Sequence, residues 1–196
     1  MPRSHASLRV ITDPRPPPLL PSAVLGMLIF VITEAMLFAG LISGFLIVKA
    51  SSRGLWPPLD QPRLPVEETA FNTLALLASG ALLWVARRRF ADAPSRALQP
   101  LGFAIALGAF FVLFQGYEWA QMLGQGLTLQ SSNHGSFFYL IVGLHALHAI
   151  AGIALLASTW WRLRRGFLAA SRFAAIQVFW TFVVGLWPIL YLVVYG

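Results

Sequence analysis

A single acidic residue near the middle of an otherwise apolar run constrains this chain more than any other feature. Glu34 is the only charged side chain between Val24 and Val48. As a helix rising about 1.5 Å per residue, this run is long enough to cross a hydrocarbon core of roughly 30 Å. A carboxylate at that depth costs about 2.5 kcal/mol or more, so it normally faces a protein partner or a water pocket. The run therefore predicts a transmembrane helix and makes Glu34 a candidate site.

Further apolar segments follow the first at similar lengths. The chain is 58% hydrophobic and only 11% charged, whereas soluble domains are about 25% charged. We therefore expect an all-α fold, a polytopic membrane bundle of five transmembrane helices over 23–196, preceded by a Pro/Arg-rich cytoplasmic tail over 1–22. The predicted spans lie at about 24–48, 69–86, 98–122, 136–160 and 173–195.

The distribution of the basic residues predicts the orientation of the bundle. The formal net charge is +7, which by itself would suit a nucleic-acid partner, but the cations gather at the span ends that face one side. They are Arg3, Arg9, Arg15, Arg87, Arg88, Arg89, Arg96, Arg162, Arg164, Arg165 and Arg172. By the positive-inside rule, the N-terminus is cytoplasmic and the C-terminus external. The placement of the basic residues thus argues against a nucleic-acid partner and indicates contact with anionic lipid headgroups.

The polar residues within the spans form a candidate intramembrane site of Glu34, Gln115, Glu118, His145 and His148. His145 and His148 stand three residues apart on one span, as do Gln115 and Glu118, so each pair shares a helix face. Glu118 lies about one turn from the outer boundary, so its side chain could instead extend to the membrane surface.

Metal binding is not expected in this chain. The sequence has no cysteine, which excludes thiolate sites and iron–sulfur clusters. Haem sites in membrane bundles use imidazoles from facing helices and zinc needs three or four ligands, but both intramembrane histidines lie on one span. We favour a hydrogen-bonded structural pair of histidines and expect neither haem nor copper.

The first span also carries a stripe of small residues, about 100° around the helix from Glu34. Its members are Gly26, Thr33, Gly40 and Gly44. Because small residues allow close approach of helix backbones in membranes, the stripe predicts a helix-packing face.

The depths of two residues predict a specific contact. Counting from the expected helix ends, Glu34 lies about 16 Å from the inner boundary and His148 roughly 18 Å below the outer one. In a core of roughly 30 Å these depths nearly coincide. We therefore expect Glu34 to hydrogen-bond His148, as a neutral pair or an ion pair. The alternative is a lone protonated Glu34 that donates to a backbone carbonyl.

Five motifs in succession carry a family resemblance. In chain order they read GMLIFVITEAMLFAGL, AFNTLALLASGALLWVA, LGAFFVLFQGYEW, SSNHGSFFYLIVGLHALHAIAG and FWTFVVGLWPILYLVVY. Over about 22–196 the chain resembles subunit III of the haem-copper oxidases, in the short bacterial form that lacks the first two of seven helices. Glu34 matches the intramembrane glutamate of that family, and His145 and His148 match its paired histidines.

The resemblance implies an accessory subunit of a proton-pumping terminal oxidase that reduces oxygen to water. Such a subunit carries no redox centre, packs against subunit I, which holds the haems and copper, and belongs to a complex that includes subunit II. The resemblance also implies bound phospholipid, a role in assembly and in sustained proton uptake by subunit I, and a multi-pass location in the bacterial plasma membrane.

The last span departs from the family pattern and leaves the branch open. Many members read W-H-F-V-D where this chain has Thr181 in place of the histidine and Val184 in place of the acid. The TEAMLF and FQGYEW segments favour the cytochrome c oxidase branch over a quinol oxidase or a nitric oxide reductase partner. A proton-coupled membrane carrier is the alternative from another class, although such carriers usually show inverted repeats and broken helices.

Overall fold

The computed structural model describes residues 20–52, 56 and 64–195, and these residues form five long helices. They are α1 (Ser22–Ser51), α2 (Val66–Asp92), α3 (Leu98–Gly124), α4 (Asn133–Arg164) and α5 (Ala170–Val194). Each is long and apolar enough to cross a membrane, and no strand occurs among the described residues. The predicted five-helix, all-α membrane fold is confirmed, whereas its orientation stays a prediction. Arg3, Arg9 and Arg15, with most of the predicted tail, lie outside the described residues.

The helix ends follow from local sequence. α4 begins after Ser132, whose Oγ accepts a hydrogen bond of 3.0 Å from the Gly135 amide and so caps the helix. α4 ends at Arg164, and two residues later Gly166, with a φ of 75°, reverses the chain without a Cβ clash. There the Phe167 amide donates back to Arg162 O and the Gly166 amide to Leu163 O, the paired bonds of a Schellman motif.

A tryptophan of α5 forms the centre of the bundle. Trp180 is fully buried, and its Nε1 donates to Ser79 Oγ of α2 at 3.1 Å. Ser79 Oγ in turn donates to Ala104 O of α3 at 2.7 Å. The indole ring lies directly over Gly108 of α3 and Gly152 of α4. One side chain therefore contacts α2, α3 and α4 from α5.

Further polar contacts tie the same helices together. Trp187 Nε1 of α5 donates to Thr73 Oγ1 of α2 at 2.8 Å, and Asn72 Nδ2 of α2 donates to Phe111 O of α3 at 3.1 Å. In lipid there is no hydrophobic force between helices, so hydrogen bonds and close packing hold a bundle together.

The first helix stands apart from this centre. It packs against α5 and α4, but it buries only Val24, Phe38 and Phe45. Phe38 meets Phe182 of α5 edge-on with ring centroids 6.4 Å apart, and Phe45 meets Phe137 of α4 at 6.0 Å. Most of the surface of α1 thus faces outward from the chain.

The small-residue stripe of α1 also faces outward. Gly26, Thr33 and Gly40 are exposed, and a Cβ added at Gly26 or Gly40 would meet nothing within 4 Å. Only Gly44 packs within this chain, since its added Cβ would lie 3.4 Å from the Phe137 ring. The large Phe38 and Phe45 form the inward face of α1. Gly26, Thr33 and Gly40 therefore do not pack against the described part of this bundle. Packing against another chain stays a prediction.

The Trp180 contact gives a direct test of the fold. We expect Gly152→Ala to destabilise the bundle by about 1–3 kcal/mol, the usual result of overpacking, because its Cβ would lie 2.6 Å from the Trp180 ring. Gly185→Ala on α5 is the matched control, since its Cβ meets open space. Thermal unfolding of both variants measures the difference. Equal midpoints for the two variants would contradict the packing described here.

Candidate functional site

The predicted contact between Glu34 and His148 is present. Glu34 lies on the same face of α1 as Phe38, and its Oε2 is 3.0 Å from His148 Nε2 of α4. The side chains are only 17% and 12% exposed. The depth count is therefore confirmed, and the alternative of a lone Glu34 bonded to a backbone carbonyl is not what the structure shows.

The second ring nitrogen of His148 limits where the protons of the pair can be. His148 Nδ1 lies 2.8 Å from Leu144 O, and because a carbonyl oxygen only accepts, Nδ1 carries a hydrogen and donates it. Nε2 then either accepts from a protonated Glu34 or donates to its carboxylate. The contact is thus a neutral hydrogen-bonded pair or an ion pair.

Aromatic rings enclose the pair. The fully buried Phe38 meets the His148 ring edge-on with centroids 5.6 Å apart, and Phe179 of α5 lies 6.2 Å from it. These rings pack against the imidazole, so the contact links α1 to α4 beside aromatic side chains.

His145 does not share in this contact. It is 1% exposed, and neither ring nitrogen has a hydrogen-bond partner among the described residues. Its ring packs against Trp187 at 4.9 Å and against Phe111 at 6.3 Å. His145 and His148 are three residues apart and therefore differ in direction around α4, so the His145 side chain points away from α1 and toward α3 and α5. The expected hydrogen bond is present at His148, whereas His145 makes none to the described residues.

Gln115 and Glu118 belong to a separate polar cluster. Glu118 is 4% exposed, so the alternative that it extends to the membrane surface is wrong. Its Oε2 accepts hydrogen bonds from Gln115 Nε2 at 2.8 Å and from Thr69 Oγ1 of α2 at 3.0 Å. Gln115 Nε2 also lies 3.3 Å from Tyr195 OH, which follows α5. The cluster joins α2 and α3 to the end of α5.

The candidate polar residues therefore fall into three places rather than one site. Sequence reasoning missed Thr69 and Tyr195, because nothing in a single sequence aligns the start of one span with the end of another. Among residues 20–52, 56 and 64–195, no group of three or more histidine, cysteine or acidic side chains is placed to hold a metal ion.

The two departures in the last helix have different surroundings. Val184 is buried, with its Cγ1 only 2.9 Å from the position that a Cβ would take at Gly80 of α2. Thr181 is exposed beside a groove between α1 and α5. Val184 thus packs against α2, whereas Thr181 lines the groove.

Comparison with known proteins agrees with this arrangement. The family described as Cytochrome c oxidase subunit III matches residues 21–196. The chain belongs to that family. Similar proteins include the cytochrome c oxidase subunit 3 of Tragelaphus oryx, Aepyceros melampus and Gazella saudiya, each 32% identical over 179 residues, which covers 87% of this chain and 67% of the relative. Subunit III belongs to an oxidoreductase complex of aerobic respiration, so this chain is a multi-pass membrane subunit with partner subunits.

Proposed function

We propose that this chain is a non-catalytic subunit III of a proton-pumping cytochrome c oxidase in a bacterial plasma membrane. It packs against subunit I, which carries the haems and copper, in a complex that also holds subunit II. Its work is to assist assembly and to keep proton uptake by subunit I from failing during turnover. The names of its relatives support the cytochrome c branch over the quinol and nitric oxide branches.

The contact between Glu34 and His148 is the observation that carries this proposal. α1 buries few residues and packs mainly against α5, and the 3.0 Å contact adds a polar link to α4. Interhelical hydrogen bonds in membranes contribute about 0.6 kcal/mol on average and up to about 1.7 kcal/mol. A contact of this kind helps to hold α1 in register with α4.

The surface of the bundle supports a role in lipid binding. A groove of about 470 Å³ runs between α1 and α5, lined by Phe38, Ile42, Leu186 and small residues. Its walls are apolar and suit an acyl chain. At the end of the bundle predicted to be cytoplasmic, Arg88 stacks on Trp84 at 3.5 Å and Arg165 on Trp161 at 4.0 Å. Such Arg–Trp pairs are suited to the headgroup level of an anionic leaflet.

The outward face of α1 supports contact with subunit I. Gly26, Thr33 and Gly40 share a stripe that is exposed in the described part of the chain, and small residues on a membrane helix favour close contact with another helix. A subunit of a multi-subunit complex needs such a face, and α1 presents more free surface than the other helices.

Replacement of the intramembrane acid tests the role of the pair. We expect Glu34→Gln to leave the initial rate of oxygen reduction near normal, because Gln can still hydrogen-bond His148 and no redox centre is touched, and to shorten the active lifetime during turnover. Ser158→Ala on α4 is the matched control, since Ser158 Oγ donates a hydrogen bond to Leu155 O of its own helix. Immediate and complete loss of turnover in a correctly assembled complex would show that Glu34 is catalytic.

Replacement of an outward glycine tests the contact with subunit I. We expect Gly40→Leu to lower the yield of intact complex on native gels, because the larger side chain keeps a partner helix away, while the chain itself folds normally. Ala151→Leu, an exposed position on α4, is the control for enlarging an outward residue. An unchanged yield for Gly40→Leu would place subunit I elsewhere.

A further inference from the structure

Glu118 is a buried acid without a basic partner in the described part of the bundle. Its side chain is 4% exposed, and among residues 20–52, 56 and 64–195 the one ion pair joins His148 to Glu34. A charged side chain that does act on Glu118, Glu68 of α2, has the same sign. Burial of an ionised carboxylate without a cation is costly, and such a group becomes neutral instead. The surroundings of Glu118 therefore favour the protonated acid.

The hydroxyl of Thr69 has one hydrogen for two close contacts. Thr69 Oγ1 of α2 lies 2.8 Å from Pro65 O and 3.0 Å from Glu118 Oε2. A carbonyl oxygen and a carboxylate oxygen only accept, so this hydrogen cannot fully serve both. If Glu118 is ionised, one of the two oxygen–oxygen contacts contains no hydrogen. If Glu118 Oε2 carries a proton, it donates to Thr69 Oγ1, the hydroxyl donates to Pro65 O, and both contacts are hydrogen bonds.

The other polar atoms of the cluster fit the same assignment. Gln115 Nε2 carries two hydrogens, and it lies 2.8 Å from Glu118 Oε2 and 3.3 Å from Tyr195 OH. The hydroxyl oxygen of a protonated acid can still accept the first of these hydrogen bonds. Glu118 Oε1 is buried and has no hydrogen-bond partner among the described residues. An unpaired oxygen of this kind costs less on a neutral acid than on a charged carboxylate.

We propose that Glu118 is a proton-binding site, a neutral carboxylic acid at neutral pH whose Oε2–H donates to Thr69 Oγ1. The ligand is a proton alone, which needs no cavity beside the carboxyl group. Its binding completes a chain of hydrogen bonds from Gln115 of α3 through Glu118 and Thr69 to Pro65 at the start of α2. Hydrogen bonds joined in such a chain strengthen one another. The bound proton therefore fastens α3 to α2.

A bound proton at this site makes the stability of the bundle depend on pH. A glutamate of the unfolded chain is ionised at neutral pH, so the folded chain binds one proton more and loses stability as the pH rises. The titratable groups that face the site are Glu68 of α2 and Tyr195 after α5, and Tyr139 of α4 acts on Tyr195. Glutamine at position 118 is neutral at every pH and removes the contribution of this site.

Infrared spectroscopy of the full chain in lipid bilayers at neutral pH tests the site directly, because a neutral carboxylic acid has a carbonyl stretch separate from the bands of a carboxylate. We expect Glu118→Gln to remove one acid carbonyl band. Glu67→Gln, at an exposed acid of α2, is the control and should remove carboxylate bands only. Thr69→Val should move the acid band of Glu118 to higher frequency, because the acid then loses its acceptor. Loss of carboxylate bands alone in Glu118→Gln, or an unmoved acid band in Thr69→Val, would overturn the proposal.

The pH dependence of unfolding gives an independent test. We expect the thermal midpoint of the unmodified chain to fall by several degrees relative to that of Glu118→Gln as the pH rises through neutral, because only the unmodified chain gives up this proton on unfolding. Glu67→Gln should follow the unmodified chain over the same range, since an exposed carboxylate is ionised throughout. Parallel curves of midpoint against pH for the unmodified chain and Glu118→Gln would show that Glu118 binds no proton and would overturn the proposal.

Discussion

The indole of Trp180 makes the contact on which four of the five helices depend. Its ring rests on Gly108 and Gly152, and its N–H reaches Ser79 at 3.1 Å. Since lipid tails are as apolar as leucine, association of membrane helices depends on close packing and hydrogen bonds rather than on burial of apolar surface. A large flat side chain between two glycines supplies the packing, and the hydroxyl of Ser79 supplies the hydrogen bond.

The first helix lies outside this arrangement and is attached differently. Phe38 and Phe45 bury one narrow face, and between them and the start of the helix the Glu34–His148 contact adds a polar link to α4. A helix held by few contacts, with a free outer face, can join its own bundle to a neighbouring subunit. This position supports the proposed role toward subunit I, because a shift of α1 would reach both the groove between α1 and α5 and the outer stripe.

The sequence was sufficient for features that depend on length and depth. The five spans follow from apolar length, since each must cross the same thickness. The Glu34–His148 contact follows because two costly polar residues at equal depth satisfy each other. The direction that each helix face takes could not be predicted in the same way. Gly40 faces outward because Phe38 and Phe45 fill the inner side, and a stripe of small residues does not show which neighbour it meets.

Other contacts between distant segments were beyond the sequence. The hydrogen bond from Trp180 to Ser79 is set by the way α5 crosses α2. His145 matches the family as closely as His148 does, and yet the turn of the helix between them gives one a carboxylate and leaves the other against Trp187. Such differences depend on helix rotation, which hydropathy does not specify.

A double-mutant cycle on the oxidase complex tests the central claim most directly. The measured quantity is the active half-life during turnover for Glu34→Leu, for His148→Phe and for the double variant. If the two residues act through their mutual contact, each single variant shortens the half-life and the double variant is no shorter-lived than the worse single one, because the shared interaction is lost only once. The account would be contradicted if the fold-reductions in half-life of the two single variants multiplied in the double variant. Half-lives equal to that of the unmodified complex would also contradict it.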